Sequence, residues 1–486
     1  MPEPLSQPDL VAHLDGEDAE LLRETIAPCE RCAQQDAVIA KLETRIEELE
    51  ARLRMNSRTS SKPPSSDGYS KPPRAERRRQ EQTDRKPGKQ PGAPGSHLPM
   101  TEHPTWIEVS RPARCPGCDQ PMAEDAEVVS TERRQIVDLP EIRPTVLEHQ
   151  IVTLRCGCGQ SCTGTYPVGI NAPVQYGPGV RALVTYLVVA QHVPLDRTVE
   201  MLHEVLGLSI SKGTVVTMLA ETGVRTAPVI EAIREQIAAA PVAYFDETGA
   251  RVEGSLHWTH SASTPLLTHL TVHRRRGKEG MDAAGILPNF SGVGVHDGWK
   301  PYRLYGWCQH GLCNAHHLRE LIFVADELHQ QWGQDMIDVL LDAKTTAEDA
   351  RRRGLSAVDA GVVERLIVRY DTIVEAGTFA NTLLPKKKAV NLLRRLAKHK
   401  DDVLRFLTDL RVSFDNNLAE RDIRMAKLQQ KISGCWRTIE GAACFLALRS
   451  CISTARKQRQ SVLGVLQSLH TDTPWIPTPV TAASSP

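Results

Sequence analysis

The stretch VAYFDETG, residues 242–249, decides the predicted fold. Small, β-branched and aromatic residues run into Asp246 and stop at Gly249, which predicts a buried central strand that ends at a sheet edge. The stretch GVGVHDGW, residues 292–299, repeats the design with an apolar run that ends at Asp297. Two strands are therefore expected to deliver carboxylates to their C-terminal ends.

A third acid lies in FDNNLAERDIRMAK, residues 414–427. Asp415 or Asn416 is suited to cap a helix that carries Glu420 in its first turns. Each acid taken singly is more typical of a turn, a cap or a surface ion pair, and only the combination favours catalysis. Three carboxylates from separated segments suit two divalent ions, roughly 3.5–4 Å apart, that activate and stabilise the oxygens of a phosphodiester. Because oxygen ligands suit Mg²⁺ or Mn²⁺, the sequence predicts metal-assisted phosphoryl transfer on nucleic acid.

Four motifs that contain or flank these acids are similar to those of a known family. FDETGARVEG, VHDGWKPY, CNAHHLREL and NNLAERDIR resemble the motifs of the insertion-sequence 66 family of DDE transposases. The resemblance implies an RNase H-like fold, a triad of Asp246, Asp297 and Glu420 that binds Mg²⁺ or Mn²⁺, and cleavage and transfer of DNA strands. It spans nearly the whole chain, since SSKPPSSD (60–67) and residues 434–458 also resemble family segments.

Hydropathy and the N-terminal sequence bear on the compartment. The longest apolar stretch near the middle, ALVTYLVVA (182–190), has nine residues, and roughly 18 are needed to span a bilayer. The first 20 residues are acidic and lack the basic and apolar regions of a secretory signal. These features predict a soluble intracellular protein with no membrane partner, and the resemblance implies a bacterial, nucleoid-associated one in the cytoplasm.

The net charge of zero averages segments of opposite sign. Residues 1–50 hold 13 acids against 4 Lys or Arg, whereas residues 52–89 hold 12 Lys or Arg against 4 acids. Residues 411–460, which surround the third acid, hold 10 Lys or Arg against 4 acids. Two basic regions suit a polyanion such as DNA, although solvated surfaces have a similar composition.

The N-terminal region carries a short heptad pattern, formed by Ile39, Leu42, Ile46, Leu49 and Leu53. This 3,4,3,4 spacing with charged flanks predicts a coiled coil and a homo-oligomer. With barely two heptads, the helix is also able to pack on its own chain. Residues 56–100, which mix Pro, Gly and Ser with Lys and Arg, predict a mobile basic arm that orders along a phosphate backbone.

Five cysteines follow the basic arm, as CPGC at Cys115 and Cys118 and as RCGCGQSC with Cys156, Cys158 and Cys162. In a chain without a secretory signal, this pattern favours a structural Zn²⁺ site over disulfides or free thiols. The fourth ligand, after Cys115, Cys118 and Cys156, is either Cys158 or Cys162. Four thiolates leave no open coordination position, so the site is expected to be structural.

Residues 198–223 are typical of a helix, a turn through Gly207 and a second helix. This order fits a helix-turn-helix motif and fits a plain helical hairpin equally well. The resemblance to the family and the basic neighbourhood favour DNA binding. The residues predicted to contact DNA are Lys212 and Thr214 at the start of the second helix, and Arg421, Arg424 and Lys427 near the third acid.

The segments around the first two acids predict a β-β-β-α-β succession, with a helix near residues 278–287 and both acids at the same edge. Asp297 and Glu420 are 123 residues apart. Residues 331–409 have a helical pattern, so they are expected to form an α-helical insertion in the catalytic domain.

The segment WCQHGLCNAHHLREL allows two interpretations. Its cysteines and histidines are candidates for a second metal site, namely Cys308, Cys313, His316 and His317. We prefer a strand that leads into a helix with half-buried Cys and His side chains. His316 and Arg319 remain candidates for orienting the site or contacting phosphate.

The predicted fold class is multidomain α/β. It comprises an RNase H-like catalytic domain with an α-helical insertion, preceded by a coiled coil, a zinc knuckle and a helix-turn-helix region. The predicted segments are an acidic leader and coiled coil (1–55), basic arm (56–100), zinc-binding domain (101–166), DNA-binding helices (167–236), first catalytic part (237–330), insertion (331–409), catalytic helix (410–432), C-terminal helices (433–470) and disordered tail (471–486).

The expected activity is that of a transposase that acts on transposon ends and target DNA, with accessory proteins of the same element as possible further partners. Two alternatives remain open from the sequence. One is a DNA-binding regulator without catalysis, and the other is a structure-specific nuclease that cuts DNA without joining strands.

Overall fold

The structure, a computed structural model, describes residues 30–53, 55–56, 98–382 and 386–479. The chain divides into two compact units. Of the described residues, the first unit holds 30–53, 55–56, 167–199, 210–382 and 386–479, and the second holds 98–166 and 200–209. The predicted basic arm, apart from its ends, lies outside the described residues.

The N-terminal part of the described chain is helix α1, Glu30–Leu53. The five heptad positions on it are exposed, with 43% of Leu49 and 86% of Leu53 accessible to solvent. In the second unit, strands β1 (Thr153–Arg155) and β2 (Ser161–Thr163) form an antiparallel hairpin.

Four helices precede the sheet, as residues 173–236 predict. They are α2 (Pro178–Thr185, extended by a π-helical turn over Tyr186–Ala190), α3 (Leu195–Leu206), α4 (Lys212–Arg225) and α5 (Ala227–Ala238). Gly207 lies between α3 and α4 with a φ of 64°, a left-handed conformation that glycine adopts without steric cost. The helix, turn and second helix expected from the sequence are thus present.

The central sheet has five strands, connected mainly by short elements. They are β3 (Val242–Val252), β4 (Ser255–Ser263), β5 (Thr268–His273), β6 (Val293–His296) and β7 (Gln309–Leu312). Helix α6 (Lys278–Ala283) and a 3₁₀ turn (Leu287–Asn289) connect β5 to β6.

The strand order is β5-β4-β3-β6-β7. The pairs β3–β4 and β4–β5 are antiparallel, whereas β3–β6 and β6–β7 are parallel. The predicted β-β-β-α-β succession, with the first and fourth strands adjacent, is therefore confirmed.

The first strand is longer than the sequence predicts. We expected it to end at Gly249 with Asp246 at its edge, but β3 continues to Val252. Glu253 and Gly254 have φ values of 52° and 72° and form a tight two-residue turn. This turn allows residues 250–252 to pair with β4, as two-residue hairpin loops with left-handed residues do.

The region between Asp297 and Glu420 is largely helical, as predicted. After a 3₁₀ segment (Lys300–Leu304), it contains α7 (Asn314–Leu328), α8 (Gln331–Arg352), α9 (Ala360–Ala380), α10 (Lys387–Lys398), α11 (Lys400–Val403) and α12 (Arg405–Thr408). The strand β7 leads directly into α7, as the preferred interpretation of the segment around Cys313 predicts, although Cys308, Cys313 and His317 are buried and not half-buried.

One buried apolar cluster connects the sheet to the inserted helices. Val242 and Val295 of the sheet belong to the same cluster as Trp332 and Leu340 of α8. Burial of each large apolar side chain contributes roughly 1.5–3 kcal/mol. The insertion therefore shares a core with the sheet.

Arg351 of α8 fixes the segment that returns the chain to the sheet. Its guanidinium donates hydrogen bonds to the carbonyl oxygens of Phe406, Leu410 and Val412, at 3.2, 2.8 and 2.6 Å. Three bonds from one charged group satisfy backbone acceptors that no helix or strand satisfies. The start of the next helix is thereby placed relative to the insertion.

The last three helices are α13 (Asn417–Ser433), α14 (Ile439–Lys457) and α15 (Val462–Ser468). Asp422 of α13 and Lys457 of α14 form an ion pair at 2.6 Å, and their side chains are 11% and 13% exposed. Asp422 also accepts hydrogen bonds from Ser263 and Thr268, at 2.7 and 2.9 Å. This network holds the helix that carries Glu420 against β4 and β5.

The C-terminal segment differs from the prediction of a disordered tail over residues 471–486. Residues 471–479 pack against other parts of the first unit, since Gln236 donates a hydrogen bond to the Pro477 carbonyl and the Thr478 amide donates one to Gln458. The half-buried ring of Trp475 adds apolar contact area to this packing. The prediction is wrong for these nine residues, and residues 480–486 lie outside the described part.

The described helices include no segment whose length and hydropathy would carry it across a bilayer.

The network around Asp422 generates a stability prediction. Asp422→Ala leaves Lys457 buried without its carboxylate, and removal of one partner of a buried pair costs about 3–5 kcal/mol. We expect chemical unfolding to show a loss of this size for Asp422→Ala. We expect a smaller loss for the double variant Asp422→Ala/Lys457→Met, in which no buried charge remains. Equal losses in the single and double variants would contradict the network.

Candidate active site

The sheet places the first two acids side by side. The parallel register between β3 and β6 pairs Tyr244 with Val295, so a continuation by two residues on each strand brings Asp246 opposite Asp297. Neighbouring strands lie roughly 4.8 Å apart. Asp297 follows the last residue of β6, and one of its carboxylate oxygens accepts a hydrogen bond from the Trp299 amide at 2.8 Å.

The third acid reaches this edge through Asn416, the residue before α13. The Asn416 side chain, 1% exposed, donates a hydrogen bond to the Phe245 carbonyl at 2.8 Å, directly before Asp246 in the chain. Asp415 accepts a hydrogen bond from the Asn417 amide at 3.1 Å and satisfies one amide of the first turn. Of the two expected capping residues, Asp415 therefore has that role, and Asn416 instead fastens the helix start to β3.

Burial and like charges dominate the electrostatics of Asp246. Burial is the largest cause that raises the pKa of Asp246 to about 8, and the charges of Glu247, Glu420 and Asp297 raise it further. Asp297 and Glu420 therefore both lie within electrostatic reach of Asp246. Among the residues described, the three acids do not form a group whose ligand oxygens all lie within 4.8 Å. Two bound ions need a wider arrangement than one ion does, since each ion takes its own share of the ligands.

Glu247 is an acid of this site that the sequence interpretation missed. Its side chain is 1% exposed and forms an ion pair with Arg276 at 2.7 Å. The hydroxyl of Tyr302 donates a hydrogen bond to its other oxygen at 2.6 Å. Burial raises the pKa of Glu247, whereas the bonds from Tyr302 and Arg276 lower it. Consecutive side chains of a strand point to opposite faces, so the pattern gave no signal that Glu247 belongs here.

Arg276 is itself held between two aromatic rings. Its guanidinium lies 3.9 Å from the centroid of the Trp299 ring and 4.9 Å from that of Trp258. Such cation–π contacts contribute about 0.5–2 kcal/mol. The result is a rigid wall of Glu247, Arg276 and Trp299 beside the loop that carries Asp297.

A third set of side chains meets Glu420 from the other direction. Ligand atoms of Cys313, His316 and Glu420 all lie within 4.8 Å of one another. Burial raises the pKa of the Cys313 thiol to about 12, and the charge of Glu420 adds to that effect. Cys308 and His317, the other two candidates for a second metal site, have different roles. The Cys308 thiol donates to a carbonyl oxygen at 3.2 Å, and the His317 ring contacts a side-chain amide at 3.1 Å.

The residues predicted to contact DNA fall into two groups. Arg421 and Arg424 are exposed on α13, while Lys427 donates a hydrogen bond to the Gly249 carbonyl at 2.7 Å. Lys212 forms an exposed ion pair with Asp196, at 2.7 Å. Thr214 lies in the first turn of α4, and its amide donates to the Ser211 side chain at 3.1 Å. Four of these five side chains are exposed, and Thr214 is partly buried.

The cysteines of the second unit lie in two similar turns. The Cys115 amide donates to the Gln120 carbonyl at 2.9 Å, and the Cys156 amide donates to the Gln160 carbonyl at 2.7 Å. Each turn therefore carries two thiols that are two or three positions apart in a short loop. The second turn is one residue shorter, which accommodates the tighter spacing of its cysteines.

Within each turn the two thiols interact. Backbone hydrogen bonds inside the turn, and then the thiol of Cys118, lower the pKa of Cys115. The backbone and then the thiol of Cys158 lower the pKa of Cys156. Cys162 lies instead in β2, opposite Leu154. Among the described residues, no three of these sulfur atoms lie within 4.8 Å of one another.

Comparison with known proteins places this architecture in a family. A family model described as "Transposase IS66 family" matches residues 173–444. The chain belongs to the IS66 transposase family. The match covers more than half of the chain and includes all three acids, which gives this IS66 member a transposase role. A family of unknown function (DUF6444) matches residues 5–99. No curated protein matches the chain.

The raised pKa of Asp246 generates a prediction about pH. Its pKa is about 8 in the folded chain, against an ordinary value of 3.8 for an aspartate. The folded state is therefore penalised increasingly as the pH rises from about 4 to about 8, because the unfolded chain releases this proton first. We expect Asp246→Asn to raise the stability of the transposase at pH 7 by about 4 kcal/mol in buffer without divalent ions.

Unfolding curves between pH 4 and pH 8 test this expectation, with Asp401→Asn at an exposed acid as the matched control. The difference between Asp246→Asn and the unsubstituted chain should grow with pH and shrink when Mg²⁺ is added. A difference that does not depend on pH would contradict the assignment.

Proposed function

We propose that this transposase cleaves and joins DNA by metal-assisted phosphoryl transfer at Asp246, Asp297 and Glu420. The observation that carries the proposal is that the register of β3 and β6 brings Asp246 opposite Asp297, while the charges of Asp297 and Glu420 both act on the partly buried Asp246 carboxylate. A fold does not keep like charges together in a buried site without a compensating group. Divalent cations are the compensating group that a set of carboxylate oxygens prefers.

We also propose that the catalytic domain is RNase H-like. The strand order supports this assignment, because three antiparallel strands are followed by two parallel strands on the other side of the first strand. In open sheets of this kind, functional residues gather at the carboxyl ends of the parallel strands. That edge carries Asp297 here, and Asp246 lies beside it.

Each acid has a distinct part in the proposed chemistry. Asp246 and Asp297 offer oxygens from adjacent strands, and Glu420 offers oxygens from the helix that Asn416 fastens to β3. Two Mg²⁺ or Mn²⁺ ions bound there would activate the attacking oxygen and stabilise the leaving oxygen. Water would attack the phosphodiester at the element end, and the freed 3′-hydroxyl would then attack target DNA. No covalent bond to the protein is required in either step.

The surrounding residues support recognition of DNA. Arg421 and Arg424 follow Glu420 within about one turn and are exposed, so they are positioned to contact phosphates that flank the reacting one. The first turn of α4, with Lys212 and Thr214, is the proposed recognition element of a helix-turn-helix. Element ends and target DNA are the proposed partners, and accessory proteins of the same element remain possible ones.

DNA cleavage by the purified full-length chain tests the proposal. We expect a labelled element end to be nicked in the presence of Mg²⁺. Asp297→Asn should reduce nicking by more than about 100-fold, since one electrostatic contributor to a transition state is worth roughly 10²–10³ in rate. Binding of the same DNA should remain, because the proposed role of Asp297 is to hold metal and not to contact DNA directly.

Asp401→Asn serves as the control and should cleave normally. Binding by both proteins without nicking by either would favour a DNA-binding regulator over an enzyme. Nicking without joining of pre-cut ends would favour a structure-specific nuclease.

We propose that a zinc ion joins the two cysteine turns through Cys115, Cys118, Cys156 and Cys158. The interaction between the Cys156 and Cys158 thiols favours Cys158 over Cys162 as the fourth ligand. Cys158→Ser should lower the zinc content by one ion per chain and increase proteolysis within residues 101–166, because a structural zinc site supplies folding free energy. Cys162→Ser should retain zinc. Zinc loss only in Cys162→Ser would reverse the assignment.

We also propose that α1 forms a coiled coil between copies of the chain. The exposed heptad positions support this, since Ile39, Leu42 and Ile46 are each more than 50% exposed. Ile46→Asp should shift the mass measured by light scattering towards the monomer, because a charge at a core position removes the apolar seam. Lys41→Ala, on the same helix, should leave the mass unchanged. An unchanged mass for Ile46→Asp would exclude the coiled coil.

A further inference from the structure

We propose that Cys313, His316 and Glu420 bind a divalent transition-metal ion of the zinc class. This site is distinct from the pair of ions assigned above to Asp246 and Asp297, with which it shares only Glu420. The binding claim does not require that the chain cleaves DNA.

The three ligands come together from different parts of the fold. Cys313 directly follows β7, and its amide donates a hydrogen bond to the His296 carbonyl at 2.9 Å, beside the edge where β6 ends. His316 lies in the first turn of α7, and Glu420 lies in the first turn of α13. Their ligand atoms lie within 4.8 Å of one another. Tetrahedral zinc with Zn–S of about 2.3 Å and Zn–N of about 2.0 Å separates its ligands by roughly 3.3–3.8 Å. Small side-chain rotations are sufficient to close that difference.

Two of the three ligands have buried atoms that need a partner. Oε1 of Glu420 and Nδ1 of His316 are buried and have no hydrogen-bond partner among the residues that the structure describes. A buried polar group without a partner costs about 1–3 kcal/mol, and native proteins contain few of them. One cation between the imidazole and the carboxylate would satisfy both atoms.

The Cys313 sulfur also receives a hydrogen bond from outside the three proposed ligands. The backbone amide of Asn416 donates a hydrogen bond to the Cys313 sulfur at 3.2 Å. Asn416 is held in place by its side chain, which donates to the Phe245 carbonyl. Outer hydrogen bonds of this kind orient the ligands of a metal and tune their basicity. Sulfur, nitrogen and one carboxylate oxygen together select zinc over the hard ions Mg²⁺ and Ca²⁺.

The proposed ion would connect two functions of Glu420. A carboxylate has two oxygens, so Glu420 is able to direct one towards Cys313 and His316 and the other towards Asp246. The ion would thereby fix the orientation of the acid on α13. The fourth coordination position would be open to water, because the described part of the chain supplies three ligands.

Zinc content of the purified full-length chain tests the site. After saturation with Zn²⁺ and removal of excess ion by gel filtration, His316→Gln and Cys313→Ser should each hold one zinc ion per chain fewer than the unsubstituted protein. Cys308→Ser is the matched control, because Cys308 is also buried and its thiol donates to a carbonyl oxygen outside the site. It should retain the full content. Circular dichroism should show the same helical content in all four proteins.

Equal zinc content in the unsubstituted chain and His316→Gln would overturn the proposal, as would an equal loss in Cys308→Ser. His316 is only partly buried, so its variant tests the site even where Cys313→Ser fails to fold. Zinc bound at the cysteine turns does not affect this test, since that ion would be present in all the proteins compared and only the difference of one ion between them is measured. The zinc measurement is also independent of DNA nicking. If the chain does not cleave DNA but the zinc difference is found, the proposed catalytic chemistry is wrong and the proposed zinc site stands.

Discussion

The structure depends on holding several partly or fully buried carboxylates close together at one edge of the sheet. Asp246 lies in a central strand with Glu247 next to it in the chain and with Asp297 and Glu420 within electrostatic reach. Such an arrangement opposes folding unless each charge is compensated. Glu247 is compensated by Arg276 and Tyr302. Asp246 instead retains a proton near neutral pH, which marks it as the group that a cation would relieve.

The rest of the fold keeps Glu420 at this position. Asn416 fastens one end of α13 to β3, and the ion pair of Asp422 with Lys457 fastens the same helix to β4, β5 and α14. The inserted helices pack on the sheet through a common apolar cluster, and Arg351 fixes the returning segment. These packed elements bring Glu420 to the sheet edge that carries Asp297, although the two acids are 123 residues apart in the chain. The proximity of the acids costs folding free energy, whereas the packed elements around them stabilise the fold.

Much of this architecture follows from local patterns. The two strands that lead to Asp246 and Asp297 have apolar runs that stop at an acid, and the helical insertion has a clear helical pattern. The extension of β3 to Val252 was missed because a left-handed Glu253 before Gly254 continues a hairpin where the sequence suggested an end. The sequence left Asp415 and Asn416 open as the cap, because a capping side chain and a side chain that bonds a neighbouring strand have the same local sequence.

The remaining features depend on contacts that are distant in the sequence. The sequence around Glu247 does not predict its contact with Arg276. The sequence around Cys313 and His316 does not predict their proximity to Glu420, which follows them by more than 100 residues. The pairing of Cys308 and His317 with these ligands looked equally plausible from spacing. Only the three-dimensional structure separates the side chains that have partners from those that lack them.

Crystals of the chain with Mn²⁺ and an element-end DNA provide the most direct test of the central claim. Anomalous scattering measured from them should show two manganese peaks roughly 3.5–4 Å apart, ligated by Asp246, Asp297 and Glu420. The peaks should disappear in Asp246→Asn. Manganese bound elsewhere, or a position of Glu420 too far away to share an ion with the two aspartates, would contradict the account.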